Sequence, residues 1–204
     1  MRYLTDSHTM KAVDNCSIHE FGIPSVVLME RAALGVSAFL RKHAEHNNKK
    51  TGIKVVCVCG SGNNGADGLA AARQLNEDGI DVHVVFAGTS EGTDEYRLQK
   101  SIVGNLGIDC VEYDGNIDFS EYDYIIDAIF GIGLSRAVEG RYAQVIEAIN
   151  KARENPDTKI IAVDIASGIM DRLWELLSKQ ITQSHLDIIR QVSCFTRELH
   201  TVVV

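Results

Sequence analysis

Short apolar segments alternate with amphipathic segments along most of the chain. Five apolar runs that end at glycine or polar turns predict strands over 53–59, 82–86, 109–113, 124–129 and 160–165. Apolar residues at helical spacing predict helices over 5–19, 25–43, 66–78, 93–106 and 142–154. Strands that alternate with helices predict a parallel sheet covered on both faces, a three-layer α/β/α arrangement preceded by two N-terminal helices.

The connections between these elements predict where a ligand binds. Right-handed crossovers favour a doubly wound, Rossmann-like sheet with strand order 3-2-1-4-5. Ligands of such sheets bind beyond the carboxyl ends of the strands, here between strands 1 and 4. The turns after strands 1, 4 and 5 bring these polar side chains to that edge: Asn63, Asn64, Asp67, Asp127, Asp164 and Ser167. We therefore expect one domain over 1–204 with its ligand site at this edge.

Charge and composition exclude several classes of protein. The net charge is −8, and non-specific nucleic-acid binding requires a basic surface, so we expect no nucleic-acid partner. The chain has no apolar run that could span a bilayer and no secretory-type start, which predicts a cytoplasmic protein without a membrane partner. The five cysteines form no CxxC pair, so we expect buried, reduced thiols.

The turn after strand 1 reads GSGNNGADG over 60–68. Glycines between a strand and a helix permit positive φ and a close approach to a ligand, and the helix N-terminus favours a phosphate. The Walker A ending and the usual GxGxxG spacing are both absent. A tight turn with Asp67 near the helix start is the simpler alternative, so the glycines alone identify no ligand.

Two acidic residues follow or end buried strands. Asp127 lies in an apolar strand, where a carboxylate must be paired, hydrogen-bonded, metal-bound or protonated. It could instead accept backbone N–H groups and order the next loop. Arg136 in that loop could bind a phosphate or be a solvated charge. Asp164 and Ser167 also come at the end of an apolar strand, as an acid and then a hydroxyl. The two acids could form a cage of oxygen ligands with Asn64 and Ser167, and such ligands favour alkali or alkaline-earth ions. Spacing alone does not distinguish such a cage from an acid/base pair.

Five segments in order resemble the NAD(P)H-hydrate epimerases, also called the YjeF N-terminal domain: LTDSHTMKAVD, GIPSVVLMERAA, CGSGNNGADGLAAARQL, DYIIDAIFGIGLSRAVEG and AVDIASG. The resemblance implies an isomerase of metabolite repair that interconverts the R and S epimers of NADHX and NADPHX at C6 of the nicotinamide. It also implies a homodimer that works with an NAD(P)HX dehydratase.

The same resemblance implies site residues. The matching substrate-binding positions are Asn63, Asn64, Gly65, Ala66, Asp67, Gly131, Ile132, Gly133, Leu134, Ser135, Arg136, Ala137 and Asp164. The matching potassium ligands are Asn64, Asp127 and Ser167. A C6 epimerisation needs general acid/base groups, and we assign these roles to Asp127 and Asp164.

The chain departs from the family pattern at three places. Ala66 replaces a usual glycine and Ala166 a usual proline, both small changes. The resemblance covers about 1–169, and the sequence from MDRLWELLSKQ onward does not match. We therefore expect a truncated, rearranged or frame-shifted tail over 170–204, with an exposed sheet edge and impaired activity.

Two other functions stay open at this stage. The chain could be a non-catalytic interaction or scaffold module, or an inactive fragment of the same family. A generic dinucleotide-binding oxidoreductase ranks third, because the usual dinucleotide fingerprint is missing.

Overall fold

The computed structural model describes residues 7–47, 49, 51–88, 91–131, 134 and 137–167. Its sheet has five parallel strands in the order β3-β2-β1-β4-β5, which confirms the predicted Rossmann-like topology. The strands are β1 Lys54–Cys59, β2 Asp81–Phe86, β3 Asp109–Glu112, β4 Tyr124–Ala128 and β5 Lys159–Ala162.

Helices cover both faces of this sheet. The helices are α1 Ser7–His19, α2 Ser25–His46, α3 Asn63–Glu77, α4 Asp94–Asn105 and α5 Gly140–Ala152, with a short 3₁₀ turn at Phe119–Glu121. Among the described residues, α1 contributes none to the two core clusters on the faces of the sheet. Buried side chains of α2, α3 and α4 form one core cluster with one face of the sheet, and those of α5 and the 3₁₀ turn form a second cluster with the other face. Within the described residues, no helix is long and apolar enough to cross a membrane.

The central strand shows why the apolar runs are continuous. Cys57 and Cys59 point into the α2–α3 cluster, whereas Val56 and Val58 point into the α5 cluster. All four are fully buried, since helices cover both faces of a parallel sheet. Burying a valine side chain contributes roughly 1.5–3 kcal/mol, so this strand anchors both cores. The expected burial is confirmed for these two thiols, but Cys16 and Cys110 are only partly buried, and Cys194 lies outside the described residues.

Three predicted boundaries were wrong near the ligand edge. Helix α3 begins at Asn63 instead of at about residue 66, because Gly62 takes an extended N-cap conformation with φ −99° and ψ −168°. Strand β4 ends at Ala128, one residue early. Strand β5 ends at Ala162, which places Asp164 beyond the strand and not in its last turn. The Asn-Asn pair therefore lies inside the first turn of a helix.

Candidate functional site

The glycine turn after β1 is a close-packed junction. Gly60, Gly65 and Gly68 all have φ outside the left-handed region, so the turn does not use the positive φ that glycine permits. A Cβ atom on Gly65 would overlap the carbonyl oxygen of Gly60, and one on Gly68 would overlap the side chain of Ala128. The glycines are therefore required because α3 starts directly against the turn and lies on the end of β4.

Backbone donors at the start of α3 face the ligand edge. The first helical hydrogen bond runs from Ala66 N to Gly62 O at 3.0 Å, and Gly62 has no side chain to cap the helix. The N–H groups of the first turn therefore have no helical acceptor, which is the usual environment for an anion. Asn63 is exposed, which leaves its side chain accessible to a ligand.

Two other polar residues of this turn are more enclosed. Asp67 is buried, and Asn64 is half-buried with no hydrogen-bond partner for Nδ2 among the described residues. The oxygen and nitrogen of an amide are assigned from surrounding hydrogen bonds, so this buried end of Asn64 can equally present Oδ1. An orphaned buried amide atom is costly unless a ligand or water satisfies it.

Asp127 is the most enclosed carboxylate of the site, with 5% of its surface exposed. Its Oδ1 accepts from the Ile129 N–H at 3.2 Å and from the Ser167 hydroxyl at 2.6 Å, and its Oδ2 accepts from the Ser167 N–H at 2.8 Å. Burial raises the pKa of Asp127, and the three hydrogen bonds, which favour the carboxylate, partly oppose that shift. The alternative reading, a carboxylate that orders the next loop, matches this geometry.

Ser167 links Asp127 to the loop after β4. Its hydroxyl donates to Asp127 and accepts from the N–H of Phe130 at 2.9 Å, so one oxygen joins the ends of β4 and β5. Asp164 is half-buried and lies against Gly131, because a Cβ atom on Gly131 would overlap the Asp164 carboxylate. The structure therefore brings together the acids and the first residue of the loop.

The rest of the predicted substrate loop is described only in part. Leu134 is buried and donates its N–H to the carbonyl oxygen of Gly131 at 3.2 Å, and Ala137 is exposed. The predicted residues that lie outside the described part of the chain are Ile132, Gly133, Ser135 and Arg136.

A small cavity of about 50 Å³ lies beside Asp127 on the α5 side of the sheet. Ala166, Ser167, Ile149 and Arg153 are among the residues that line it. Ligand pockets for organic molecules usually enclose about 300–1,000 Å³, so a nicotinamide ring does not fit there.

One group of residues at this edge was not predicted from the sequence. The Ser61 and Tyr142 hydroxyl oxygens lie 3.3 Å apart, and a Cβ atom on Gly88 would overlap the Tyr142 hydroxyl. The Tyr142 ring also packs against Phe130, with ring centroids 4.8 Å apart. The signal in the sequence is weak, because Tyr142 reaches this place only through the path of the loop between β4 and α5.

This fold and edge define a class: a doubly wound α/β domain with a polar ligand site at the switch point. The sequence pattern of the family described as YjeF-related protein N-terminus matches residues 25–188, which is more than half of the chain. The chain belongs to this family, and the resemblance seen in the sequence is confirmed.

Curated relatives agree with that assignment. The chain is 42% identical over 161 residues to an NAD(P)H-hydrate epimerase of Limosilactobacillus fermentum, which covers 78% of this chain and 72% of the relative. It is 40% identical over 158 residues to an NAD(P)H-hydrate epimerase of Oenococcus oeni, which covers 76% and 70%. A bifunctional NAD(P)H-hydrate repair enzyme of Dictyoglomus turgidum is 31% identical over 185 residues, which span 90% of this chain and 35% of that enzyme.

A solved structure shares the fold. The crystal structure of the yeast protein ynu0 superposes with a TM-score of 0.72 at 24% identity and covers 82% of this chain and 72% of its own. The family match reaches residue 188, further than the expected limit near 169. The expectation of an atypical tail over 170–204 lies outside the described residues and stays a prediction.

Proposed function

We propose that this chain is an NAD(P)H-hydrate epimerase, an isomerase that interconverts the R and S epimers of NADHX and NADPHX for metabolite repair. One observation carries the proposal: Asp127, Ser167 and Asp164 converge at the carboxyl edge of the sheet beside Gly131. The family match and the named relatives support the same activity.

The substrate has a pyrophosphate between two nucleosides, and this chemistry suits the open edge. We assign the pyrophosphate to the backbone N–H groups at the start of α3 and to the side chains of 63–67, because a helix N-terminus favours an anion. Residues 131–137 and Asp164 then contact the hydrated nicotinamide. In this arrangement the ring lies beyond the end of β4, close to both acids.

The donor set fits a potassium ion. Asn64, Asp127 and Ser167 supply an amide, a carboxylate and a hydroxyl oxygen, the hard ligands that alkali ions prefer. The orphaned buried amide atom of Asn64 supports the fit, because a flipped amide would offer its oxygen to a cation. Among the described residues no group of three or more His, Cys, Asp or Glu is arranged to hold a metal, but this set contains only one such residue. Such an ion would supply a fixed positive charge that lowers the pKa of Asp127.

The reaction requires cleavage and re-formation of one bond. C6 carries a hydroxyl and is bonded to the ring nitrogen, so a carboxylic acid can protonate the hydroxyl while the nitrogen lone pair expels water. The resulting cation has an N=C6 double bond. Water then adds to the opposite face and returns its proton to the carboxylate. Ring opening and reclosure is a second route that uses the same acid and base.

The two acids suit different tasks in this mechanism. Asp164 is half-buried beside Gly131 and lies at the edge, so it is the better placed of the two to exchange a proton with the substrate. Asp127 already accepts three hydrogen bonds, so its negative charge is better suited to stabilise the developing cation. Both remain in the proposed catalytic pair.

The same proposal includes partners. We expect a homodimer that works with an NAD(P)HX dehydratase, since the epimerase step alone does not repair the cofactor. The relative named as a bifunctional repair enzyme shows one case in which a homologous segment is part of a longer chain. The acidic net charge gives no basis for a nucleic-acid partner, and a cytoplasmic location is part of the proposal.

The direct test is epimerisation of purified S-NADHX and R-NADHX, followed by chromatography, with and without potassium. We expect potassium-dependent interconversion, and a fall of about 100-fold or more in Asp127→Asn and Asp164→Asn, because each loses a charge in a preorganised site. Circular dichroism shows whether each variant is folded. Unchanged turnover in Asp127→Asn would refute its role, and no turnover by folded wild-type protein would favour the interaction module.

A further inference from the structure

One half of the proposed substrate has no assigned residues. The acids at the ends of β4 and β5 account for the nicotinamide end, and the start of α3 accounts for the pyrophosphate. A dinucleotide bound across the switch point of a doubly wound sheet must place its adenosine half over the other half of the sheet, beyond the carboxyl ends of β2 and β3. This inference therefore rests on the proposed function.

The ends of β2 and β3 carry a compact group of charges. Phe86 and Glu112 are neighbours in register at the last position of the two strands. Arg141, in the first turn of α5, reaches both of them: Nη2 lies 3.5 Å from the Phe86 carbonyl oxygen and 3.2 Å from Glu112 Oε2. Lys100 of α4 also belongs to the group, with Nζ 3.7 Å from Glu112 Oε1 and 4.1 Å from the centroid of the Phe86 ring. Asp114 lies close enough that the charge of Arg141 contributes to lowering its pKa, after the larger effect of its hydrogen bonds with Asn116.

The guanidinium of Arg141 has donors to spare. Both of its described hydrogen bonds use Nη2, which leaves Nη1 without an acceptor among the described residues, and Nε is buried and also has none there. Its side chain is 28% exposed, so part of the guanidinium remains open to solvent. Arg97 differs, because it is 50% exposed and is bound to Asp94 and to the Gly92 carbonyl oxygen.

Arg141 is also close to the glycine turn after β1 and to the loop after β4. The next residue, Tyr142, contacts Ser61 of the glycine turn and packs on Phe130. Gly88, two residues after the end of β2, lies against the Tyr142 hydroxyl. Arg141 therefore belongs to a continuous surface that runs from the start of α3 to the ends of β2 and β3.

We propose that Arg141 binds the 2′-phosphate on the adenosine ribose, and that it makes NADPHX a better substrate than NADHX. A planar guanidinium binds a phosphate through two parallel hydrogen bonds. Such charge-assisted hydrogen bonds are stronger than hydrogen bonds between neutral groups. An arginine in this part of a dinucleotide-binding fold is the usual partner of a 2′-phosphate.

Glu112 competes with the phosphate for Arg141. When the phosphate binds, Glu112 keeps its contact with Lys100, so the carboxylate is not left without a cation. Removal of this carboxylate should strengthen phosphate binding, whereas removal of the guanidinium should weaken it. These opposite signs separate ligand binding from a purely structural role.

The first experiment measures binding without catalysis. Calorimetry with 2′,5′-ADP and with 5′-AMP gives the ratio of the two affinities, which reports on the 2′-phosphate alone. We expect the wild-type chain to bind 2′,5′-ADP about tenfold more tightly or better, and Arg141→Gln to reduce this ratio to about twofold or less. Arg141→Lys should retain part of it, and Glu112→Gln should raise it by about threefold.

Arg97→Gln is the matched control, because it removes an arginine from the same end of the molecule and should leave the ratio within about twofold. Equal affinities of the wild type for both probes, no binding of either, or equal losses in Arg141→Gln and Arg97→Gln would each overturn the inference. A thermal-unfolding curve for each variant shows that the comparison is between folded proteins.

The second experiment compares kcat/KM for NADPHX and NADHX. The ratio should fall by about tenfold in Arg141→Gln relative to wild type, and an unchanged ratio would contradict the inference. Absence of epimerisation of either substrate by the wild type would refute the proposed function instead. In that case the ratio of probe affinities still decides whether Arg141 binds the phosphate.

Discussion

Replacement of Gly65 by alanine tests the close packing that positions the proposed substrate site. A Cβ atom at this position would overlap the Gly60 carbonyl oxygen and lie 2.6 Å from the Gly60 carbonyl carbon. Both partners are backbone, so the clash cannot be relieved by a side-chain rotation. The turn after β1 and the first turn of α3 would have to separate.

The magnitude follows from two opposing effects. Overpacking a closely packed site costs about 3 kcal/mol when backbone must move. Alanine is about 1 kcal/mol more favourable than glycine inside a helix, and Gly65 is a helical residue. The net loss is about 2 kcal/mol, which for a chain of this size lowers Tm by about 4–8 °C.

Gly62→Ala is the control within the same turn. A Cβ atom there meets nothing within 4 Å, and its φ of −99° is open to any residue. In this variant the loss of a glycine N-cap and the reduced entropy of the unfolded chain nearly cancel. The free energy of unfolding of Gly62→Ala should therefore change by less than about 0.5 kcal/mol. Thermal and urea unfolding measure both variants. Equal stability of Gly65→Ala and Gly62→Ala would refute the packing argument.

Two further predictions concern the link between β4 and β5. Ser167→Ala removes the hydroxyl that donates to Asp127 and accepts from Phe130, so we expect a loss of about 2 kcal/mol in urea unfolding together with lower activity. A change below about 0.5 kcal/mol would contradict the importance of that hydroxyl. Gly131→Ala would displace the flexible end of Asp164, so stability should change by less than about 1 kcal/mol while kcat falls about tenfold or more. A kcat equal to that of the wild type in Gly131→Ala would contradict the proposed acid/base role of Asp164.

The strand pattern was predictable because a strand that is buried on both faces has a recognisable sequence. Each central strand lies between two layers of helices, so its residues read as an uninterrupted apolar run, and right-handed crossovers leave few possible orders. The start of α3 was less predictable. Gly62 can serve as an N-cap without a side chain, so the usual marker of a helix start is absent.

The site was predictable where it depends on strand ends. Asp127 lies near the carboxyl end of β4 and Ser167 follows the neighbouring strand β5, so the order of the strands brought them together. The role of the glycines was not predictable, because glycine serves positive φ and close packing equally well, and only the contacts of Gly60 and Gly65 show which applies.

The sequence by itself determined the class of fold, the family and the edge where polar residues gather, because these depend on periodicity and on residues a short distance from strand ends. Tertiary structure alone decided which side chains meet across long separations. Arg141 and Glu112 are 3.2 Å apart although a strand and a long loop separate them in the chain. Such contacts depend on the path of α5 across the sheet, and neither local propensity nor spacing encodes that path.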